Sequence, residues 1–347
     1  MSAKAIEVRG LSKTFAVKTK TAGLAGSVKA LFRPQFAAKV AVQPIDFAVE
    51  QGEVLAFLGP NGAGKSTTIK MLTGILHPTA GEADVLGLCP WKQRSRLAFR
   101  VGSVFGQKSQ LWYHLPPVDS FELMGKIYEI GRADFVRRRD DLVGRFEVGP
   151  YLQTPVRKLS LGERMRCEIV AALLHRPAII FLDEPTIGLD VVVKQRIREL
   201  IREMNREEGT TLFLTSHDAG DIEQLCRRAI VINHGRIILD DKVARLKRDY
   251  LTRKTIRLHL RADEAGGSGQ AADAEPFGAG MDGVTLVYRR GAELQLAVDT
   301  AAVTMEEVLG RIVRHYAIDD VTIEDPPMEE IITQIYAAGL GKEEGAG

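Results

Sequence analysis

Short apolar runs alternate with amphipathic segments along most of the chain. Three of these runs have the length and composition of buried β-strands and lie at 54–58, 178–182 and 212–214. Helix-compatible segments separate them, and the alternation is densest over residues 177–247. A strand–helix alternation of this kind predicts a largely parallel sheet covered by helices, which is an α/β fold.

The segment 194–207 shows the clearest helical pattern. Ile197, Leu200, Ile201 and Met204 recur at helical spacing and predict a buried face. The intervening charged residues are assigned to the opposite, solvated face; they are Arg198, Arg202 and Glu203.

The N-terminal region predicts a strand over 5–16 and an insertion over 17–42. Within the insertion Leu24, Val28, Leu31 and Phe32 follow helical spacing, and basic side chains are frequent. Two interpretations remain open. The segment is either a basic amphipathic helix that touches lipid or a membrane subunit, or a solvated hairpin or loop.

The domain prediction divides the chain near residue 248. Residues 1–247 form the first domain, with a helix-rich subdomain at about 108–176, and residues 250–340 form a small accessory α+β domain. That second domain is predicted to contain strands at 255–260, 294–298 and 321–323, a loop at 263–283, and helices at 304–316 and 328–338. Residues 341–347 are predicted to form a frayed tail.

Composition and charge support this organisation. The chain has 347 residues, enough for two domains, and contains no apolar run of about 18 residues that could span a membrane. Its three cysteines match neither a metal-site spacing nor a disulfide framework, which favours a reducing cytosol. Residues 1–249 carry a net charge of +10 and residues 250–347 a net charge of −8. Because no aromatic-interleaved basic stripe accompanies the positive charge, nucleic-acid binding is disfavoured.

Residues 59–67 have the pattern of a phosphate-binding loop, G-x-x-x-x-G-K-[ST]. They read Gly59, Pro60, Asn61, Gly62, Ala63, Gly64, Lys65, Ser66 and Thr67. Glycines let successive backbone N–H groups turn toward one anion, and the N-terminus of the following helix faces the same anion. Lys65 is predicted to reach the outer phosphates of a nucleotide, and Ser66 to offer its hydroxyl to Mg²⁺.

Two acids complete the predicted chemistry. Asp183 and Glu184 directly follow the apolar run at 178–182. A carboxylate at this place can hold Mg²⁺, directly or through water, and its neighbour can polarise the water that attacks a phosphate. We therefore predict that Asp183 is a metal ligand and that Glu184 is the general base.

Further motifs identify a family. Leu159 to Glu163 read Leu-Ser-Leu-Gly-Glu, and Pro185 to Asp190 read Pro-Thr-Ile-Gly-Leu-Asp. Gln107 follows one apolar segment and His217 follows another. The order and spacing of these motifs over roughly residues 5–245 resemble those of the ATP-binding cassette (ABC) transporter ATPases, and the details resemble the ABC-2-type, multidrug- or viologen-exporter-like, export ATPases. The resemblance implies a P-loop ABC cassette with a helical subdomain.

The resemblance also implies individual roles. Gln107 matches the glutamine that touches Mg²⁺ and water and reports to the membrane subunit, and His217 matches the switch histidine. Ser160 and Gly162 match the signature motif that closes over the γ-phosphate bound by a second subunit. Asp190 matches the aspartate that crosses between subunits, and Phe15 matches the aromatic residue that stacks on adenine.

Several of these positions have a second interpretation. Phe15 is either the adenine platform or a core residue, and Ser160 is also compatible with a plain helix N-cap. Leu161 and Glu163 replace the glycine and glutamine that are usual in the signature. An extra carboxylate at Glu163 could weaken ATP binding, although acids are favourable at a helix start. Trp112 and Tyr113 predict either a contact surface for a permease or local core packing.

The implied function is an ATP-hydrolysing subunit, with ATP and Mg²⁺ as cofactors, that powers an ABC-2-type exporter through ATP-driven closure of a homodimer. Its expected partners are ABC-2-type transmembrane permease subunits and a second copy of itself, and its expected location is the cytoplasmic face of the inner membrane. A soluble ABC ATPase in translation or DNA maintenance is the alternative. A third hypothesis, a regulatory module without turnover, is opposed by the intact Asp183–Glu184 pair. The sequence leaves the transported substrate open.

Overall fold

The computed structural model describes residues 3–18, 36–105, 109–216, 218–250, 253–261, 282–324 and 335. The chain divides into two compact units, Met1–Val243 and Ala244–Gly347. Gln107, His217, the apolar positions at 24–32 and the frayed tail at 341–347 lie outside the described residues. So does the helix predicted at 328–338, apart from Ile335.

The first unit contains nine described strands and most of the helices. Its strands are β1 Lys4–Lys18, β2 Phe36–Glu50, β3 Val54–Leu58, β4 Ala80–Val85, β5 Val101–Phe105, β6 Ile179–Asp183, β7 Thr211–Thr215, β8 Arg228–Asn233 and β9 Arg236–Lys242. Its helices are α1 Lys65–Leu72, α2 Arg94–Ala98, α3 Pro117–Ile127, α4 Arg132–Arg145, α5 Leu161–Leu173, α6 Val191–Glu208 and α7 Ala219–Leu225.

Six of these strands form the central sheet, in the order β5-β6-β7-β3-β8-β9. All neighbours are parallel except β8 and β9, which form an antiparallel hairpin at one edge. Phe57, Phe181 and Phe213 from three adjacent strands are fully buried, with ring centroids 5.2 and 5.5 Å apart along the row. The predicted α/β fold with a largely parallel sheet and helices is therefore confirmed.

A second, antiparallel sheet of the first unit has the order β2-β1-β4. The first strand is longer than the 5–16 predicted, and both ends of the predicted insertion belong to the hairpin, since Val17 pairs with Ala37 and Lys18 with Phe36. β-branched and apolar residues continue the pairing past the predicted strand end. The residues at the two ends of the predicted insertion are therefore paired as antiparallel strands.

One surface assignment from the sequence is wrong. Arg198 on α6, predicted on the solvated face, is only 6% exposed, whereas Arg202 and Glu203 are exposed as predicted. Two acids on a neighbouring segment, the partly buried Asp218 and the fully buried Asp221, bind the Arg198 guanidinium. A buried arginine is stable only when it is paired, and a helical periodicity cannot reveal a partner that lies elsewhere in the chain.

The second unit contains α8 from Ala244 onward and a small α+β fold. The elements are α8 Val243–Tyr250, β10 Arg253–Leu260, β11 Val284–Arg290, β12 Glu293–Asp299, α9 Met305–His315 and β13 Ile318–Glu324. The strands form one antiparallel sheet, β11-β12-β10-β13, and Val308 and Ile312 of α9 join its buried core. β11 was not predicted from the sequence, although Val284, Leu286 and Tyr288 alternate with exposed residues. Only two residues separate it from its partner β12.

Candidate active site

A cavity of about 690 Å³ lies at the carboxyl ends of the central strands. The loop that leaves β3 forms one wall, and the acids at the end of β6 form another. Parallel strands bring their carboxyl ends to one edge of a sheet, which explains why residues more than 100 positions apart meet here. Ten of the predicted residues line this cavity: Phe15, Pro60, Asn61, Gly62, Gly64, Lys65, Ser66, Thr67, Asp183 and Glu184.

The loop between β3 and α1 has the conformation that a phosphate site requires. Gly64 has φ +113°, and a Cβ there would come within 2.7 Å of the Ala41 carbonyl oxygen, so only glycine fits. The helix then begins at Lys65, and Thr68 N–H donates to Gly64 O at 2.9 Å. The glycine thus aims the N-terminus of α1 into the cavity, where the helix dipole favours an anion.

Lys65 supplies the positive charge of this loop. Its Nζ donates to the carbonyl oxygens of Gly59 and, at 3.3 Å, Pro60. Burial lowers the pKa of Lys65, while the nearby carboxylates of Glu184 and Asp183 oppose that shift. The ammonium is therefore held between main-chain oxygens and carboxylates at the wall of the cavity, where a phosphate can accept from it.

Asp183 lies between two hydroxyl groups. Ser66 Oγ donates to Asp183 Oδ2 at 3.2 Å, and Thr215 Oγ1 donates to Asp183 Oδ1 at 2.5 Å. The β6–β7 register places Thr215 directly beside Asp183. Carboxylate and hydroxyl oxygens are suitable ligands for Mg²⁺, which usually binds one or two protein groups together with phosphate and water. The residues present fit that ion.

Glu184 occupies an uncommon backbone conformation, with φ 56°. Its N–H donates to Thr215 O at 3.0 Å and lies 3.2 Å from Thr215 Oγ1. These bonds hold the peptide at the sheet edge, and the side chain lines the cavity next to Asp183. A carboxylate that faces the phosphate site from a fixed backbone has the geometry of a general base.

Ser160, Gly162 and Asp190 come together at a different place. Ser160 caps α5, and its Oγ accepts from Glu163 N–H at 3.3 Å; Asp190 caps α6, and its Oδ1 accepts from Val193 N–H at 2.9 Å. A Cβ on Gly162 would meet Val193 Cγ1 at 2.9 Å, so the two helix starts are in contact. None of these residues lines the cavity.

Glu163, which replaces the usual glutamine of the signature motif, has a hydrogen-bond partner in its own helix. Its Oε2 accepts from Ser160 N–H at 2.8 Å and completes a capping box with the Ser160 side chain. The carboxylate is therefore directed back to its own helix end. This contact satisfies a backbone donor that the helix itself cannot satisfy.

The cavity also includes residues that sequence reasoning missed. Lys39, Val40 and Ala41 of β2 and Phe105 at the end of β5 line it, and Thr215 fixes Asp183 from behind. Position 215 immediately precedes the Ser-His-Asp motif at a strand end, so the parallel-sheet prediction contained the signal for Thr215. The β2 residues follow from the strand pairing of Phe15 with Lys39, which the sequence does not reveal.

Known proteins provide the identification. A family model described as "ABC transporter" matches residues 42–187. The chain is 35% identical to the ABC transporter ATP-binding protein NatA of Bacillus subtilis (strain 168), over 57% of this chain and 80% of that protein. It is 33% identical to the fluoroquinolones export ATP-binding protein MT2762 of Mycobacterium tuberculosis (strain CDC 1551 / Oshkosh), over 73% of this chain and 79% of that protein.

The chain belongs to the ABC transporter family. Among solved structures, the dimeric post-hydrolysis state of the ATP-binding cassette MJ0796 bound to ADP and Pi matches with a TM-score of 0.58 and 22% identity, covering 69% of this chain and 98% of that chain. That likeness supports the cassette fold.

This ABC protein is an ATP-binding and ATP-hydrolysing subunit. The alternative of an ATPase in translation or DNA maintenance is not favoured. No helix among the described residues is long and apolar enough to cross a bilayer.

Proposed function

We propose that two copies of this chain enclose two ATP molecules and power an ABC-2-type exporter. The proposal rests on one observation: the two groups of residues that would contact ATP lie at different places on a single chain. Lys65, Ser66, Asp183 and Glu184 share one cavity, whereas Ser160 and Asp190 lie outside it. Signature residues that do not line the cavity of their own chain are suited to close over the nucleotide of a second copy.

Within this proposal each residue has a defined role. Lys65 and the N-terminus of α1 bind the phosphates, and Phe15 stacks on adenine. Ser66, Asp183 and Gln107 hold Mg²⁺, which neutralises charge on the phosphates when bound. Glu184 orients the attacking water and accepts its proton, His217 holds the arrangement, and Ser160 with Gly162 completes the site across the dimer.

Exposed apolar side chains support the dimer. Val191 and Val192 directly follow Asp190 and are 80% and 78% exposed. Apolar groups this exposed at a helix start are suited to contact another protein surface. Trp112, Tyr113 and Leu115 are also exposed and form a second apolar surface, close in sequence to Gln107, that we assign to the permease.

The exporter class and location are supported by relatives and by charge. One relative is named as a fluoroquinolones export protein. The net charge of +10 on residues 1–249 suits the anionic inner surface of a cell membrane, where this subunit would be peripheral. Adjacent reading frames should encode one or two chains with about six apolar spans each, and a membrane chain of this kind should co-purify with the subunit.

Mixing two defective variants tests the composite site. Lys65→Ala chains keep an intact signature, and Ser160→Arg chains keep an intact cavity, so only their heterodimer contains one complete site. Neither variant alone should form an ATP-dependent dimer, and their mixture should, as measured by light scattering. Normal ATP hydrolysis by Ser160→Arg chains that remain monomeric would contradict the composite site.

A further inference from the structure

A largely buried network of ion pairs and hydroxyl groups holds Ser216 and Asp218, which directly follow β7. Asp221 of α7 is fully buried. Its Oδ2 accepts from Ser216 Oγ at 2.6 Å and from Thr186 Oγ1 at 2.5 Å, and its Oδ1 accepts from Arg198 Nε at 2.7 Å. Three separate segments of the first unit therefore meet at one carboxylate.

Asp218 fixes the other side of the same turn. Its two oxygens accept from Arg198 Nη2 and Lys194 Nζ, each at 2.6 Å, and its N–H donates to Ser216 Oγ at 2.9 Å. Asp218 Oδ1 also accepts from Gly220 N–H at 2.9 Å, which caps α7. Both chain neighbours of position 217 are thus held by side chains of α6 and α7.

The network joins the segment that follows β6 to the segment that follows β7, and the proposed reaction assigns a role to each. Thr186 lies between Glu184 and Asp190 in the chain, and α6 begins directly after Asp190. Arg198 lies about 12 Å along that helix from Asp190, because a helix rises 1.5 Å per residue. A helix is stiff over such a length, so a shift of the Asp190 end moves the guanidinium that binds Asp218 and Asp221.

The network lies outside the cavity to which the nucleotide is assigned. None of Thr186, Lys194, Arg198, Asp218 and Asp221 lines the cavity. Burial raises the pKa of Asp218, but the hydrogen bond from Lys194 and the charge of Arg198 outweigh it, so the pKa lies below its ordinary value and the carboxylate is charged at neutral pH. A charged, fully partnered network in a low-dielectric interior has one preferred arrangement.

We propose that Arg198 and Asp221 are positioning residues that transmit the movement of the Asp190 segment during dimer closure to Ser216 and Asp218, the two chain neighbours of residue 217. The proposal rests on the composite site described above. Closure by a second copy would then set the reactive geometry through α6, and ATP bound to a single chain would not be hydrolysed efficiently.

Arg198→Lys separates positioning from folding. Lysine keeps the charge, but a single ammonium cannot reproduce the planar fork that bonds Asp218 and Asp221 together. Arg138→Lys is the matched control, because Arg138 is equally buried and bonds Glu208 and the Leu173 carbonyl, away from the turn. Both variants replace a buried guanidinium that bonds two partners. Only Arg198 bonds residues within 216–221.

The full-length chain is assayed at a temperature well below the melting of either variant. For Arg198→Lys we expect an ATP dissociation constant within about twofold of the unchanged chain and a kcat lower by about 10- to 100-fold, the size of effect expected from a small misplacement of a reacting group. Arg138→Lys should keep kcat within about twofold. An equal loss of kcat in both variants would show that Arg198 acts through stability alone and would overturn the inference.

His217→Ala, measured in parallel, distinguishes failure of the inference from failure of the proposed function. If His217→Ala loses turnover while Arg198→Lys keeps it, the inference is wrong and the proposed function stands. If His217→Ala hydrolyses ATP normally, both fail together. Should Arg198→Lys not fold, Asp221→Asn, which keeps the size of the side chain, is compared with Glu208→Gln by the same criteria.

Discussion

Two helix starts in the first unit, at α1 and at α5, differ in how far the chain completes them. The start of α1 is enclosed by its own chain: Lys65 is buried and lies against Asp183 and Glu184. The start of α5 has Ser160 exposed, and Val191 of the adjoining α6 is exposed as well. A single copy therefore builds a nucleotide pocket, and the surface that we assign to closure is left for a second copy.

The strongest test of this contrast is Glu184→Gln. Gln keeps the shape of the side chain but cannot accept the proton, so we expect steady-state ATP hydrolysis to fall by about 10²- to 10⁴-fold with ATP binding retained. The variant should accumulate an ATP-bound dimer, measurable by gel filtration with ATP. Turnover at the normal rate would remove Glu184 from the mechanism.

Lys65→Ala should act on binding within a single chain. Loss of a charge-assisted hydrogen bond to phosphate should raise the ATP dissociation constant by about 10- to 100-fold. Isothermal titration with ATP measures it. Ser160→Arg provides the contrast, since it should leave that constant within about twofold; an equal loss in both variants would erase the distinction between the two surfaces.

Val191→Lys tests the exposed surface at the start of α6 that we assign to dimer closure. Two added charges brought together by closure should weaken the ATP-dependent dimer by about tenfold, while ATP binding to one chain stays unchanged. Dimer dissociation constants from analytical ultracentrifugation in the Glu184→Gln background measure this effect. Val313→Lys, at another exposed valine in the second unit, is the control and should leave dimerisation unaltered.

Glu163 should give the smallest effect. Glu163→Gln retains an oxygen that can accept from Ser160 N–H, so ATP hydrolysis should change by less than about twofold. Glu163→Ala removes that acceptor and should lower the free energy of unfolding by about 0.5–2 kcal/mol, measured by urea denaturation. A large gain in ATP affinity in Glu163→Gln would instead mean that the carboxylate repels the nucleotide.

Local sequence was sufficient for the parts of the site that local structure creates. The phosphate loop needs one strand, one turn and one helix start, all within 54–72, and Asp183 ends an apolar run as predicted. Thr215 and Arg198 required knowledge of which segments are neighbours. Arg198 was assigned to solvent because helical periodicity describes one helix, whereas its burial is decided by Asp218 and Asp221.

The order of the central sheet also governs when the site can first exist. β3, which leads into the phosphate loop, has β7 and β8 as neighbours, and neither is complete before residue 215. At synthesis rates of about 5–20 residues per second, the strand waits roughly 10–30 s for its first partner. Such distant pairings are slow to form because a long loop must close first. The nucleotide pocket is therefore a late product of folding, and a nascent chain that ends before β7 lacks the neighbours that hold its phosphate loop at the sheet edge.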